Sequence, residues 1–116
     1  MIVCVVTDRR RADPVEQARR AAAAGIDLIQ VRERDLEAAP LAAIVRAMLE
    51  AVGGSATRVT VNDRLDVALA CGAHGVHLRA DSIPAAKARA LAPAGFLIVL
   101  ATQSRPILLA RTTEQE

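Results

Sequence analysis

The sequence predicts an α/β fold on a parallel sheet, and three observations carry that expectation. Short apolar, β-branched runs alternate with helical patterns from end to end, which is how βα units read. Glycines stand where the helical patterns stop, supplying the left-handed residue that ends a helix. At 116 residues and 53% hydrophobic content, the chain suits one packed domain.

Five strands can be placed in order. The first is the apolar run Ile2 to Val6. The helix after it starts at Asp13 as N-cap, with Pro14 in the first turn and Glu16 positioned to close a capping box, and Gly25 stops it. The second strand, Ile26 to Val31, leads to a helix that sets Leu41, Ile44, Val45, Met48, Leu49 and Val52 on one face, the stripe that buries against a sheet. Gly53 and Gly54 end that helix. A third strand, Arg58 to Val61, feeds a short helix from Leu65 to Cys71, and Gly72 closes it before the fourth strand, Gly75 to Leu78. Pro84 to Leu91 makes another helix, and Pro93 and Gly95 turn the chain into a fifth strand, Phe96 to Leu100. Beyond it, Arg105 to Glu116 shows only one brief apolar cluster, Ile107 to Ala110.

Composition excludes several function classes. A net charge of +2 and a single aromatic, Phe96, give neither the basic field nor the stacking platforms of a nucleic-acid binder. The triplet Arg9, Arg10 and Arg11 reads as a solvated loop, although it could also draw in an anionic substrate. Cys4 and Cys71 lack any metal or redox spacing and read as small core residues. The opening apolar run is too short for a signal peptide, and no stretch approaches the roughly 18 apolar residues of a membrane span. A cytoplasmic location without membrane contact is the expectation.

All strand C-termini of a parallel α/β sheet open on the same side, so chemistry is expected there. Those ends carry Thr7 and Asp8, then Arg32, Glu33 and Arg34, then Asn62, Asp63 and Arg64, then His77, and last Thr102 and Gln103. Gln30 and Arg32 alternate along one strand and so face one side. Arg32 and Arg34 can fork onto phosphate oxygens, Gln30 can add an amide donor, and Asp63 beside Asn62 could help hold a hard divalent cation. The competing reading is a structural network in which Arg32 or Arg34 pairs with Asp8, Glu33 or Asp63, and spacing alone does not choose between them. Asp63 could also be only the N-cap of the following helix. His77, alone on an apolar strand, reads as a core histidine.

The segments "VVTDRR", "DLIQVRERD" and "VTVNDRLDVALACGAHGVHL" resemble the thiamine phosphate synthase/TenI superfamily, whose pattern runs Gln-x-Arg-x-Lys, Asn-Asp-Arg, then Gly-x-His-Leu. Three linked motifs in the family's order are far more specific than any one alone. The resemblance implies a partial TIM-type (βα) barrel of parallel strands, about five of eight βα units, because a complete barrel takes about 200 residues or more. It places the N-terminal half of that barrel at residues 1–104 and a divergent tail at 105–116. It also implies thiamine biosynthesis, in which hydroxymethylpyrimidine diphosphate is joined to thiazole phosphate with release of diphosphate, so that small phosphorylated pyrimidine and thiazole compounds are the expected partners. Family roles fall on Gln30, Arg32, Arg34 and Asn62 for the diphosphate and on Asp63 for Mg²⁺, with Arg34 in place of the family's lysine.

Departures from the family pattern begin after His77. Where the synthases continue Gly-Gln-Glu-Asp, this chain reads Arg79, Ala80, Asp81 and Ser82, so the second metal-ligand position holds a serine. Asp81 would stand in only if the loop shifted by one residue, and with Ser82 it can instead cap the following helix. The family's Gly-x-Ser-x-His segment is here Val99 to Gln103. Two related readings follow: a TenI-like thiazole tautomerase, against which Gln103 stands, and a non-catalytic protein that binds a phosphorylated ligand. An open doubly wound sheet, such as a receiver domain, is the rival architecture, but the fifth strand lacks the lysine that a receiver needs. Five strands without closure leave unpaired edges, so the expectation is an isolated chain that is inactive alone and either marginally stable or completed by self-association or by a complementing half-barrel.

Overall fold

The computed structural model describes residues 1–100 and the backbone of 108–111. Its elements run β1 (Val3–Val6), α1 (Pro14–Ala24), β2 (Leu28–Val31), α2 (Ala38–Ala51), β3 (Arg58–Asn62), α3 (Leu65–Cys71), β4 (Gly75–Leu78), α4 (Ala85–Leu91), β5 (Leu97–Leu100) and β6 (Leu108–Arg111). Five parallel strands alternate with four helices, as the sequence predicts. A sixth strand falls on the brief apolar cluster near the end of the chain and pairs in parallel with β1, so that the sheet order is β5-β4-β3-β2-β1-β6. Among the described residues the sheet does not close. Thr102 and Gln103 lie outside the described residues.

Local sequence accounts for the helix ends. Asp13 caps α1 by accepting from the Val15 amide at 3.4 Å, and Glu16 pairs with Arg19 and Arg20 on the exposed face. Gly25 and Gly72 adopt the left-handed conformation that ends α1 and α3, at φ 73° and 71°, where a side chain would be strained.

Every described helix packs on the same face of the sheet. One core cluster joins Ala18 and Ala21 of α1, Leu41, Val45 and Met48 of α2, Val67 and Ala68 of α3 and Ala88 of α4 to Ile29, Val31, Val59, Val61, Val76 and Leu78. Those strand residues lie on one face: Ile29 is opposite Val59, and Val31 and Val76 are each opposite Val61 in register. The alternate positions, Cys4, Val6, Leu28, Gln30, Thr60 and Asn62, are also buried but stand outside this helix-packed cluster. Helices on one side only are the arrangement of a barrel wall, whereas a doubly wound sheet covers both faces. Among the described residues no helix is long and apolar enough to cross a membrane.

Gly75 fixes how closely β4 and β5 approach. A Cβ built there would lie 2.6 Å from Leu97 Cβ and closer still to the Leu97 carbonyl oxygen. Neither group can swing away, since one is backbone and the other is the root of its side chain. Gly75→Ala should therefore lower the unfolding free energy by about 1–3 kcal/mol, the usual cost of forcing extra volume into a packed site. Thermal and urea melts check this, and an unchanged midpoint would show that the β4–β5 spacing is not constrained.

Candidate functional site

Two adjoining clefts open at the C-terminal ends of β1 to β4. The first, about 430 Å³, is lined by Thr7, Asp8, Arg9 and Arg10 from the end of β1 and by Arg32 to Asp35 from the end of β2. The second, about 240 Å³, brings Glu33 and Arg34 together with Asn62, Asp63, Arg64 and Arg79. Glu33 and Arg34 belong to both. A further cavity of about 640 Å³ lies among strand N-terminal ends and β5, lined by Ile2, Leu28, Leu97 and Leu100. It has the wrong position for strand-end chemistry and few polar groups to orient a ligand.

Glu33 organises the first cleft. Its buried carboxylate accepts from Thr7 Oγ1 at 2.7 Å, from the Arg9 amide at 3.2 Å and from Arg9 Nη1 at 3.0 Å. The Thr7 hydroxyl oxygen in turn accepts from the Arg32 amide at 3.0 Å, which ties the ends of β1 and β2 together. Arg9 also forks onto Asp35, at 2.7 and 2.5 Å, and holds that carboxyl well below its usual range, at about 2. Sequence reasoning read the arginine triplet as a solvated loop. Arg10 fits that description, its side chain being 89% exposed, but Arg9 is the counter-charge of a buried glutamate.

The structural-network reading of Arg32 and Arg34 named three carboxylates, and each is engaged by another arginine. Asp8 pairs with Arg10 at 3.1 Å and Arg11 at 3.6 Å, Glu33 pairs with Arg9, and Asp63 faces Arg79 at 3.6 Å. Among the described residues no carboxylate lies within ion-pair distance of Arg34. Its exposed guanidinium lines both clefts. Arg64 in the second cleft is occupied by Asp66, at 2.9 Å.

The other expected residues divide by depth. Asn62 ends β3 in register with His77, and Arg32 follows β2 at the same level, since Gln30 pairs with Thr60 and Val31 with Val61. Gln30 lies deeper, buried within hydrogen-bonding reach of Cys4 and outside the lining of either cleft. Burial pushes the Cys4 thiol up to about 11, so it is un-ionised and inert. Arg32, Arg34, Asn62 and Asp63 therefore meet at one rim, and Gln30 supports it from beneath.

Asp63 does not cap α3; Arg64 stands at that N-cap position, with no side-chain cap bond. Asp63 instead adopts a left-handed backbone at φ 64°, the one described non-glycine residue to do so. Its amide donates to the His77 carbonyl at 2.7 Å, and its own carbonyl accepts from the Leu65 amide at 2.9 Å. Ser82 does not cap α4 either, since Pro84 stands at that position. The Ser82 hydroxyl oxygen accepts from the Arg79 amide at 2.9 Å and closes the turn after β4.

These residues do not fit a divalent cation. The Arg79 guanidinium lies 3.6 Å from Asp63 and 3.5 Å from Asp81, so both carboxylates offered as metal ligands face a fixed positive charge. A dication ligated by Asp63 would have that guanidinium as a like-charged neighbour, which weakens its binding there. Among the described residues no group of three His, Cys, Asp or Glu side chains is arranged to hold a metal.

Comparison with known proteins gives the family. A family model described as thiamine monophosphate synthase matches residues 2–115. A thiamine-phosphate synthase of Methanoculleus marisnigri is 44% identical over 97 residues, covering 81% of this chain and 46% of that protein. One of Anaeromyxobacter dehalogenans is 43% identical over 93 residues, covering 80% of this chain and 41% of its own length. The chain thus spans about half the length of the curated relatives it matches. Among solved structures, a thiamine phosphate pyrophosphorylase from Pyrococcus furiosus superposes with a TM-score of 0.79 at 27% identity, covering 95% of this chain and 59% of that one.

The two histidines give a measurable pH dependence. Burial, with a smaller contribution from Arg32, lowers His77 below its usual 6.5, and burial with Arg58 lowers His74. His74 Nδ1 also accepts from the Val59 amide at 2.9 Å, which requires that nitrogen to be unprotonated. Because the unfolded chain takes up protons first, stability is complete above 6.5 and is lost as pH falls through the lower folded-state values. Urea midpoints measured between about pH 7 and 5 should fall, and less steeply in His74→Gln. A wild-type midpoint that does not change over that range would contradict the burial of neutral imidazoles.

Proposed function

We propose, since the chain belongs to the thiamine monophosphate synthase family, that its strand-end clefts hold the diphosphate of a phosphorylated pyrimidine during formation of thiamine phosphate. In that transfer hydroxymethylpyrimidine diphosphate is joined to thiazole phosphate and diphosphate departs. The observation that carries the reading is Arg34, an exposed guanidinium without a carboxylate partner among the described residues, set on both clefts beside Asn62. A fork of this kind recognises phosphate oxygens in pairs.

The chain's own residues would act through charge and position. As the bond from the pyrimidine's methylene carbon to the diphosphate oxygen breaks and that carbon bonds to the thiazole nitrogen, negative charge builds on the leaving diphosphate, and preorganised donors lower the barrier most where that charge develops. Arg32 and Arg34 supply charge, Asn62 an amide, and the Glu33–Thr7–Arg9 network keeps the β2 end from shifting. The free thiols Cys4 and Cys71 suit a reducing compartment, and the cytoplasm is the location proposed.

Calorimetry with inorganic diphosphate tests the site directly. Wild-type protein should bind it, and Arg34→Ala should weaken binding by about tenfold or more, in line with loss of a charged hydrogen-bonding pair. An Arg34→Ala protein that binds diphosphate as the wild type does would remove the basis for the assignment.

The same reading calls for a partner along β5. That strand has β4 as its one described neighbour, Leu100 is 50% exposed, and the apolar cavity beside Leu97 opens along it. Unpaired parallel edges are normally covered. Light scattering coupled to size exclusion should show mass increasing with concentration, or capture of a complementing half-barrel. A stable, cooperative monomer across the range would count against this.

A further inference from the structure

We infer that Arg79 is a resident cation at this site and that the second cleft therefore binds its diphosphate group without a divalent metal. The inference rests on the diphosphate reading above and deepens it. Arg79 leaves β4 immediately after Leu78 and reaches into the cleft that Arg34, Asn62 and Asp63 line. Its guanidinium group stands 3.6 Å from Asp63 Oδ2 and 3.5 Å from Asp81 Oδ1, within reach of both carboxylates that could have served a cation.

Two features make this more than a surface ion pair. The Arg79 side chain is only 26% exposed, and its amide donates to the Ser82 hydroxyl, which fixes the turn from which the side chain enters the cleft. Neither carboxylate contact is a hydrogen bond: Arg79 Nε is buried with no hydrogen-bond partner among the described residues despite its nearness to Asp81. The attraction is electrostatic, and donors remain to be spent. A guanidinium so placed neutralises Asp63 and can still donate to a phosphate oxygen, which are the two tasks a bound dication would perform beside a diphosphate. Ser82 fits the same picture, because a carboxylate at its position would add a charge with no ion to meet it.

Titration calorimetry of the full chain with inorganic diphosphate, in EDTA and in excess Mg²⁺ corrected for the solution complex, decides the matter. Equal affinity within about threefold is expected in the two buffers, with Arg79→Gln losing at least about tenfold in EDTA and recovering when Mg²⁺ is added. Electron paramagnetic resonance should in parallel find Mn²⁺ free with the wild type and bound with Arg79→Gln. Wild-type binding that appears only with Mg²⁺ would overturn the resident-cation inference and leave the diphosphate site standing. Absence of binding in both buffers would overturn both. The wild-type comparison holds whether or not the variant folds.

Discussion

A β-strand presents its side chains alternately to two faces, so a sheet that gives one face entirely to helices leaves the other free to carry polar groups. This constraint places everything else in the molecule. Ile29, Val31, Val59, Val61, Val76 and Leu78 are committed to the helices, and the positions between them hold Gln30, Thr60, Asn62 and His77. Had the helices divided between the faces, those polar side chains would lie under an apolar layer. Thr60 Oγ1 and His77 Nδ1 have no hydrogen-bond partner among the described residues, at a typical cost of about 1–3 kcal/mol for each buried group.

The rim above that face is arranged by charge. Six carboxylates, Asp8, Glu33, Asp35, Asp63, Asp66 and Asp81, stand near the ends of β1 to β4, and each is within reach of an arginine other than Arg32 or Arg34. Most of these pairs are partly exposed and are worth little to stability singly. Their effect is on pairing. Because Arg9, Arg10, Arg64 and Arg79 engage the neighbouring acids, Arg34 has no carboxylate partner among the described residues. The pair that differs in kind is Arg9 with Glu33, since a glutamate buried beside Thr7 would be costly without its counter-charge.

The fold was legible where information is local. The bounds of α3 and β4 can be read directly from Leu65, Cys71, Gly75 and Leu78, because capping glycines and apolar runs act within a few residues. The family motifs likewise brought Arg32, Arg34, Asn62 and Asp63 to one rim. What escaped the sequence is long-range. Arg9 and Glu33 are 24 residues apart, and nothing in a run of three arginines says which one turns inward. Arg79 was visible as a departure from the family pattern but not as the neighbour of both Asp63 and Asp81. The sixth strand escaped because four residues carry little periodicity, and its partner β1 lies at the other end of the chain. The choice between a one-sided and a two-sided sheet needed the faces, which no strand assignment supplies.

Asp63 shows how the backbone and the charges depend on each other. An L-residue in the left-handed region costs roughly 1–2 kcal/mol, less for aspartate than for most, and such strain persists only where the surroundings hold it. Here the hold is explicit: the Asp63 amide is bound to His77 of the neighbouring strand, and Leu65 draws in its carbonyl as α3 begins. The left-handed turn interrupts the strand's alternation after Asn62, so that Asn62 and Asp63 both line the cleft instead of facing opposite sides of the sheet. Arg79 brings a positive charge to within 3.6 Å of that carboxylate, and β4 with the residue that follows it supplies both the His77 carbonyl and Arg79. The strand that fixes the unusual backbone thus also delivers its counter-charge.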